Sequence, residues 1–257
     1  AAFSGRLATH TVTNASDGAS GSLRSTITAA TAGDVIVFDP TLKGQTLTMT
    51  SSAATVLTVA KSITIDGDVD GDGIYDVTLS GNLDGSAADT SASSNDARGF
   101  LFNASGGLFS LKNLRFDSFY RGNVVQGAVS LQSGTLEIDR CTFSYNGGNA
   151  ISQASAASNS LTVRNSVITN TSETNVTAGA LYAPIRILHN TGASTTIENV
   201  VVANNSYTLN LNGATNTAAF GGIVVAGVGS AEVNLTVRNA TVVNNTFFNI
   251  ATSRAGC

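Results

Sequence analysis

The sequence predicts an all-β protein of the parallel β-helix (solenoid) type, with a short N-terminal capping helix. A short phrase recurs at 161–170, 195–204 and 235–244, and looser copies lie at 109–116 and 136–143. Each copy alternates apolar and polar residues, reaches an Asn or a substitute for it, and then starts a second apolar pair. Alternation buries one face of a strand. A strand–corner–strand unit that repeats along a chain indicates stacked coils.

Composition supports this fold class. The chain has 257 residues, of which 42% are hydrophobic, so it can bury a substantial core. Only 12% are charged, against about 25% in an average protein. Thr, Ser, Asn, Val and Gly dominate, and these residues favour strands and turns. We expect one elongated domain over 1–257, with an N-terminal cap and first coil at 1–45 and stacked coils at 46–257.

Charge and hydropathy argue against nucleic-acid binding and against a membrane-spanning helix. The net charge is −4 and no basic stripe exists, so nucleic acid is not expected to bind. No apolar run approaches the roughly 18 residues that a membrane-spanning helix needs. The sequence therefore predicts no transmembrane segment.

The capping helix is predicted at 22–32. Ser22 is placed to cap its start, Leu23, Ile27 and Ala30 fall on one face, and Gly33 ends it. Such a helix would cover the apolar residues and unpaired backbone that the first coil of a solenoid exposes.

Short strands follow the helix, and the corners between them carry the repeated Asn. Positions 113, 165, 199 and 239 hold Asn, and Arg140 takes the equivalent place in one copy. Asn at a corner can hydrogen-bond to backbone groups above and below, so we expect a structural ladder. Strands are predicted at 35–38, 46–49, 56–59, 63–65, 77–79, 100–102 and 108–111, and 84–98 is predicted to be a surface loop.

A β-sandwich is the competing fold, because it too has many short strands. A sandwich should show hairpin turns such as Asn-Gly between its strands and should not repeat a strand–corner–strand phrase. Asn146-Gly147 and Asn212-Gly213 occur, but such turns are few. The repeat favours the β-helix.

One acidic loop predicts a metal site. Aspartates occupy positions 1, 3, 5 and 9 of the segment 68–76, around turning glycines. Ca²⁺ prefers six to eight hard oxygen ligands, so the pattern predicts a structural calcium site that rigidifies a corner. The spacing resembles the integrin-type DxDxDGxxD calcium loop, and it departs from the EF-hand because Leu79 stands at position 12. The candidate ligands are Asp68, Asp70, Asp72, Asp76, Ile74 and Asp66.

A second group of charges falls on neighbouring coils. It is a candidate site for an acidic sugar, and an Arg in it would be a candidate base for a lyase. The alternative is a set of outward charges that keep the stack soluble, and the sequence favours that interpretation. The residues are Arg115, Asp117, Arg121, Asp139 and Arg140.

The paired motifs resemble those of a known family. Segments 127–129 and 221–223 (Gly-Ala-Val and Gly-Gly-Ile), followed by 143–146 (Phe-Ser-Tyr-Asn) and 242–244 (Val-Val-Asn), are similar to the GGA[I/L/V] and FxxN repeats of polymorphic outer membrane proteins and autotransporter passengers. The opening 21–40 is similar to the N-terminal cap of bacterial β-helix surface proteins. The resemblance implies a right-handed parallel β-helix that is secreted or displayed on a bacterial surface.

The resemblance also implies a function. We expect a non-enzymatic adhesin, stalk or structural surface component, located outside the cell or on the bacterial surface. Its partners would be host or neighbouring-cell glycans or proteins, or other surface-layer components. The alternative is a polysaccharide lyase or hydrolase, or a carbohydrate-binding module, on the same scaffold. Between these two, the sequence favours the non-enzymatic function and leaves the enzyme as the alternative.

Overall fold

The computed structural model describes residues 7–50, 57–83, 99–119, 127–176, 181–210 and 221–250. Within these ranges the chain forms one α-helix, α1 (Leu23–Ala29), a single 3-10 turn (Pro40–Leu42) and a series of β-strands. The first strands are β1 (Thr9–Val12), β2 (Val35–Phe38), β3 (Thr46–Thr48), β4 (Leu57–Val59), β5 (Thr64–Asp66), β6 (Val77–Ser80), β7 (Phe100–Lys112), β8 (Leu114–Asp117), β9 (Gly127–Asp139), β10 (Thr142–Ser144) and β11 (Asn149–Gln153). The later strands are β12 (Ser160–Arg164), β13 (Val167–Thr169), β14 (Ser172–Val176), β15 (Ile185–His189), β16 (Ser194–Glu198), β17 (Val201–Ala203), β18 (Ser206–Asn210), β19 (Ile223–Gly227), β20 (Leu235–Arg238), β21 (Thr241–Val243) and β22 (Thr246–Ile250).

The strands form three sheets in which every pairing between named strands is parallel. A 12-stranded sheet contains both β1 and β20, a 7-stranded sheet runs from β3 to β21, and a 3-stranded sheet joins β14, β18 and β22. Each strand pairs with its counterpart in the next repeat, as β12 does with β16 and β16 with β20. An antiparallel sandwich is therefore excluded for the described residues, and the all-β parallel prediction is confirmed. The predicted loop at 84–98 lies outside the described ranges.

The core is built from apolar side chains stacked in register. In the 7-stranded sheet, Phe116 pairs with Phe143, Phe143 with Ile168, and Ile168 with Val202, and none of these side chains reaches solvent. The two Phe rings stack with centroids 4.9 Å apart and planes 9° from parallel. Alternation in the repeat thus gives each strand one inward-facing set of apolar side chains. These sets stack from coil to coil as a column.

The capping helix begins where the sequence predicts and ends earlier. Oγ of Ser22 accepts a hydrogen bond from the backbone N–H of Ser25, and Leu23 and Ile27 are buried. The helix ends at Ala29 rather than near Gly33. The carboxylate of Asp34 accepts hydrogen bonds from the backbone N–H and hydroxyl groups of Thr31 and draws that segment out of helical geometry.

The predicted corner residues lie in register and share one conformation. Asn113, Arg140, Asn165, Asn199 and Asn239 all have φ between 49° and 53°. This left-handed region is unfavourable for most L-residues, and Asn tolerates it best among non-glycine residues. Asn therefore recurs at this position because the backbone adopts the left-handed conformation at the corner.

A ladder of side-chain amides joins these corners. Nδ2 of Asn239 donates to Oδ1 of Asn199 at 3.1 Å, and Nδ2 of Asn199 donates to Oδ1 of Asn165 at 3.1 Å. Nδ2 of Asn165 then donates to Oδ1 of Asp139 at 2.8 Å. Arg140 interrupts the ladder, although its Nε still donates to Oδ1 of Asn113 at 2.8 Å. A structural ladder is therefore present, but it joins side chains rather than the backbone groups that the sequence predicts.

A second set of asparagines lies inside the fold. Asn146 and Asn205 are fully buried, and each bonds to backbone groups of the adjoining coils. Asn245 continues the set, because its Oδ1 accepts from Nδ2 of Asn205 at 2.7 Å. The pairing of Val202 with Val242 puts Asn245, not Asn244, in line with Asn146. The segment 242–244, which the sequence analysis likens to the FxxN repeat, is thus one residue too short, because the structurally equivalent residue is Asn245.

No helix in the described part of the chain is long and apolar enough to cross a membrane.

Candidate functional site

The acidic loop connects β5 to β6 and is closed by its own aspartates. The carboxylate of Asp68 accepts hydrogen bonds from the backbone N–H groups of Gly71 at 2.6 Å and Gly73 at 2.8 Å. The carboxylate of Asp76 accepts one from the backbone N–H of Val69 at 2.8 Å. Both glycines have positive φ, at 84° and 81°. Glycine adopts this conformation without strain, so the Gly-Asp-Gly sequence permits the tight turn.

Three of the predicted metal ligands meet in this loop. Asp68, Asp70 and Asp76 each offer a carboxylate oxygen, and the three oxygens lie within 4.8 Å of one another. Asp70 is exposed, whereas Asp68 and Asp76 are half-buried. The loop therefore gathers three hard oxygen donors around one point.

The other predicted ligands lie outside that group. Oδ1 of Asp66 accepts from Nδ2 of Asn113 at 2.8 Å and from the backbone N–H of Asp68 at 3.1 Å. Oδ1 of Asp72 accepts from the backbone N–H of Ile74 at 2.8 Å. Asp66 thus supports the neighbouring corner, and Asp72 shapes the tip of the loop.

A lysine that sequence reasoning did not single out contacts two aspartates of the loop. Nζ of Lys43 contacts Oδ2 of Asp70 and lies 3.3 Å from Oδ1 of Asp76. The hydrogen bond to Asp70 raises the pKa of Lys43, and the same bond lowers the pKa of Asp70. Lys43 is held in place because the backbone N–H of Gly44 donates to the carbonyl of Asp76 at 2.8 Å. The lysine comes from an earlier coil, which is why the loop sequence alone does not reveal it.

The donor set fits a hard divalent cation. Carboxylates are the ligands that Ca²⁺ prefers, and a full shell of six to eight oxygens would add backbone carbonyls or water to the three gathered here. The ammonium group of Lys43 contacts two of these same carboxylates. A cation would therefore have to displace Lys43 from Asp70 and Asp76.

Arg115 and Asp117 form one charged group on β8. Nη2 of Arg115 donates to Oδ1 of Asp117 at 2.9 Å, and Oγ of Ser144 donates to the same oxygen at 2.6 Å. Nε of Arg115 in turn donates to Oγ of Ser144 at 3.2 Å. These contacts close a local network on the 7-stranded sheet.

Asp139 and Arg140 belong to a different group, at the end of β9 in the 12-stranded sheet. Asp139 is buried, with Nη2 of Arg164 at 3.4 Å and Nη2 of Arg140 at 3.8 Å from its Oδ2. Nη2 of Arg164 also lies 2.5 Å from Oε1 of Glu137.

The five predicted residues thus do not form one cluster. Arg115 and Asp117 lie on one sheet, Asp139 and Arg140 lie on another, and Arg121 lies outside the described residues. No hydrogen bond or ion pair joins the two groups within the described ranges. The two groups are separate, and Asp139 is buried rather than exposed to solvent.

The charges of the 12-stranded sheet follow a rule that sequence reasoning missed. Strand register places six charged residues in one column, each beside the next, and their signs alternate from coil to coil. Opposite charges on directly paired strands stabilise a sheet, and like charges destabilise it. The column therefore favours this register over a shifted one. In order, its members are Asp66, Lys112, Asp139, Arg164, Glu198 and Arg238.

Two further buried polar groups were not anticipated. Inside the coil, Oγ1 of Thr195 donates to Oε1 of Gln153 at 3.1 Å, and Nε2 of His189 lies 2.9 Å from the same hydroxyl. Nδ1 of His189 accepts from the backbone N–H of Asn234 at 3.2 Å. Arg186 is also buried, with an exposed fraction of 5%. Alternation alone would assign His189 and Arg186 to ordinary inward or outward strand positions. It therefore does not reveal either group.

Comparisons with known protein families, with curated proteins and with solved structures found no match to this chain.

Proposed function

We propose that the protein is a right-handed parallel β-helix that acts as a secreted or cell-surface scaffold, as an adhesin, stalk or structural component of a bacterial surface. Its partners would be glycans or proteins of a host or neighbouring cell, or other surface-layer components. The in-register parallel stack supports this most directly. Within the described residues, amide and charge ladders occupy the repeated positions of the stacked coils.

Right-handedness has a physical basis. A connection between parallel strands of the same sheet is right-handed in about 98% of cases, because right-twisted strands pack back onto the sheet only that way. A crystal structure of the chain would decide the hand, and a left-handed coil would overturn this part of the proposal.

Adhesion and catalysis are separable by assay. The purified chain should bind glycan-bearing cells or surface-layer extracts saturably and should leave acidic polysaccharides intact. Arg115→Met and Asp117→Asn should then alter binding only if the β8 group contacts the ligand. Release of unsaturated or reducing sugar ends from such polysaccharides would instead support the alternative, a lyase or hydrolase on the same scaffold.

We also propose that the acidic loop binds calcium as a structural ion. Three converging carboxylates support this, and the expected role is to fix the corner between β5 and β6. Calcium should raise the Tm of chelator-treated protein, and Asp76→Asn should abolish the rise. Asp72→Asn is the informative comparison, because Asp72 is a predicted ligand that lies outside the group of three. Equal melting of the wild-type protein in calcium and in chelator would refute the site.

A further inference from the structure

Arg186 lies on the outer side of its sheet and is nevertheless buried. Its neighbours in β15, Ile185 and Ile187, face the core with no exposure, so alternation directs Arg186 to the opposite face. Thr162 and Thr196, which are outward-facing residues of the other part of this sheet, are half-exposed. Arg186 is thus covered on the outer face of the sheet, with an exposed fraction of 5%.

The buried outer positions continue along the sheet as a polar stripe. Register places Ser130 beside Ser152 and Ser152 beside Arg186. Both serines are also buried, and Oγ of Ser152 donates to Oγ of Ser130 at 2.9 Å. Strands lie about 4.8 Å apart, so two hydroxyls and a guanidinium follow one another across three coils.

Among the described residues, the Arg186 guanidinium has an electrostatic contact with Tyr182 but no carboxylate partner. Nε and Nη1 of Arg186 are buried and make no hydrogen bond, and no described acidic side chain forms an ion pair with the residue. Burial lowers the pKa of this guanidinium, although arginine stays charged in proteins. A buried charge without a partner is strongly unfavourable. The chain therefore holds a preformed cationic donor that no carboxylate within the described residues satisfies.

We propose that Arg186 is the anchor of an anion-binding site on the outer face of β11 and β15, and that its ligand is a carboxylate or phosphate oxyanion. The planar fork of guanidinium N–H groups matches the oxygens of both groups. A neutral ligand would leave the charge uncompensated. Ser152 is the neighbouring hydroxyl on the coil before Arg186. This site is independent of the surface-scaffold role and of the calcium loop.

The test measures the Tm of the intact chain in sodium chloride, sodium phosphate, sodium acetate and sodium galacturonate at one ionic strength. Wild-type protein should melt higher in at least one oxyanion than in chloride, by on the order of 5 °C at saturating ligand. Comparing the rise in Tm in phosphate with the rises in acetate and galacturonate shows whether the site prefers a phosphate or a carboxylate. Arg186→Met should lose this rise, and its Tm in chloride should equal or exceed that of the wild type, because it removes an unpaired buried charge.

Arg238→Met is the matched control, since Arg238 is an exposed arginine on the following coil, and it should keep the full rise. The proposal is overturned if wild-type protein shows no oxyanion-specific rise, or if Arg186→Met keeps it. It is also overturned if Arg186→Met melts several degrees below wild type in chloride, because Arg186 would then have an internal partner.

Discussion

Nζ of Lys43 lies 3.3 Å from Oδ1 of Asp76, so a lysine of an earlier coil pairs with the acidic loop. The same ammonium contacts Asp70. The proposed calcium ion would therefore have to compete with Lys43 for these carboxylates. The calcium affinity of the loop should reflect this competition.

Replacing the lysine should therefore strengthen calcium binding. Lys43→Met removes the competing charge, and calorimetric titration of chelator-treated protein should show a lower Kd than wild type. Lys61→Met carries the same charge change elsewhere, since Lys61 donates to the carbonyls of Thr28 and Ala30 at the helix end. The control should leave the Kd unchanged. An equal gain in both variants would show that only net charge matters.

Restoring the amide ladder at its interruption should stabilise the protein. Arg140 has φ of 52°, and left-handed geometry costs a side-chain-bearing residue about 1–2 kcal/mol. Asn tolerates it better and can also bond within the ladder. Arg140→Asn should therefore raise the free energy of unfolding in urea by up to about 1 kcal/mol. Arg140→Ala keeps the strain and loses the bond to Asn113, so it should fall below wild type. If both variants change stability alike, the ladder argument fails.

The alternating charge column should depend on its central arginine. Arg164 contacts both Asp139 and Glu137, and Asp139 is buried. Arg164→Met should lower the free energy of unfolding by about 1–2 kcal/mol, because Asp139 keeps only part of its compensation. Arg238→Met, at the exposed end of the column, should stay within about 0.5 kcal/mol of wild type. Equal losses in chemical denaturation would contradict a graded role along the column.

The internal histidine should make stability depend on pH. Burial lowers the pKa of His189, and both ring nitrogens are already engaged in the neutral form. The unfolded chain therefore binds a proton more readily than the folded one. Stability should fall as pH drops below the ordinary value of 6.5 and should level off below the depressed folded value.

The difference between wild type and His189→Gln isolates this effect. Urea unfolding between pH 7.5 and 5.5 should show wild type losing more stability than the variant, because the variant retains the polar contacts without the titration. His10, which contacts Asp34, is common to both proteins and cancels in the comparison. Parallel pH profiles for the two proteins would remove His189 as the cause.

The sequence predicts the repeated parts of the fold well because the same physical demand recurs in every coil. The alternation in 161–170 gives the strand, and the Asn at 165 gives the left-handed corner, so both follow from local chemistry. The early end of α1 was not predictable in this way. It depends on Asp34 bonding to Thr31 after the chain has turned back.

The candidate site is predictable only where its residues are local. Asp68, Asp70 and Asp76 sit in one short segment, so their convergence follows from loop spacing. Lys43 reaches the loop through coil stacking, and the separation of Asp117 from Asp139 depends on which sheet each strand joins. Such placements are set by register, which a single sequence read along its length does not display.

The amide ladder also has a sense of direction. Asn239 donates to Asn199, Asn199 to Asn165, and Asn165 to the carboxylate of Asp139. The positive ends of these amide dipoles all point towards a fixed negative charge, so each polarises the next. Turning one amide around would oppose its neighbours on both sides. The buried carboxylate of Asp139 thus favours one orientation for all three amides, and this row of corners is polarised along the stacking direction.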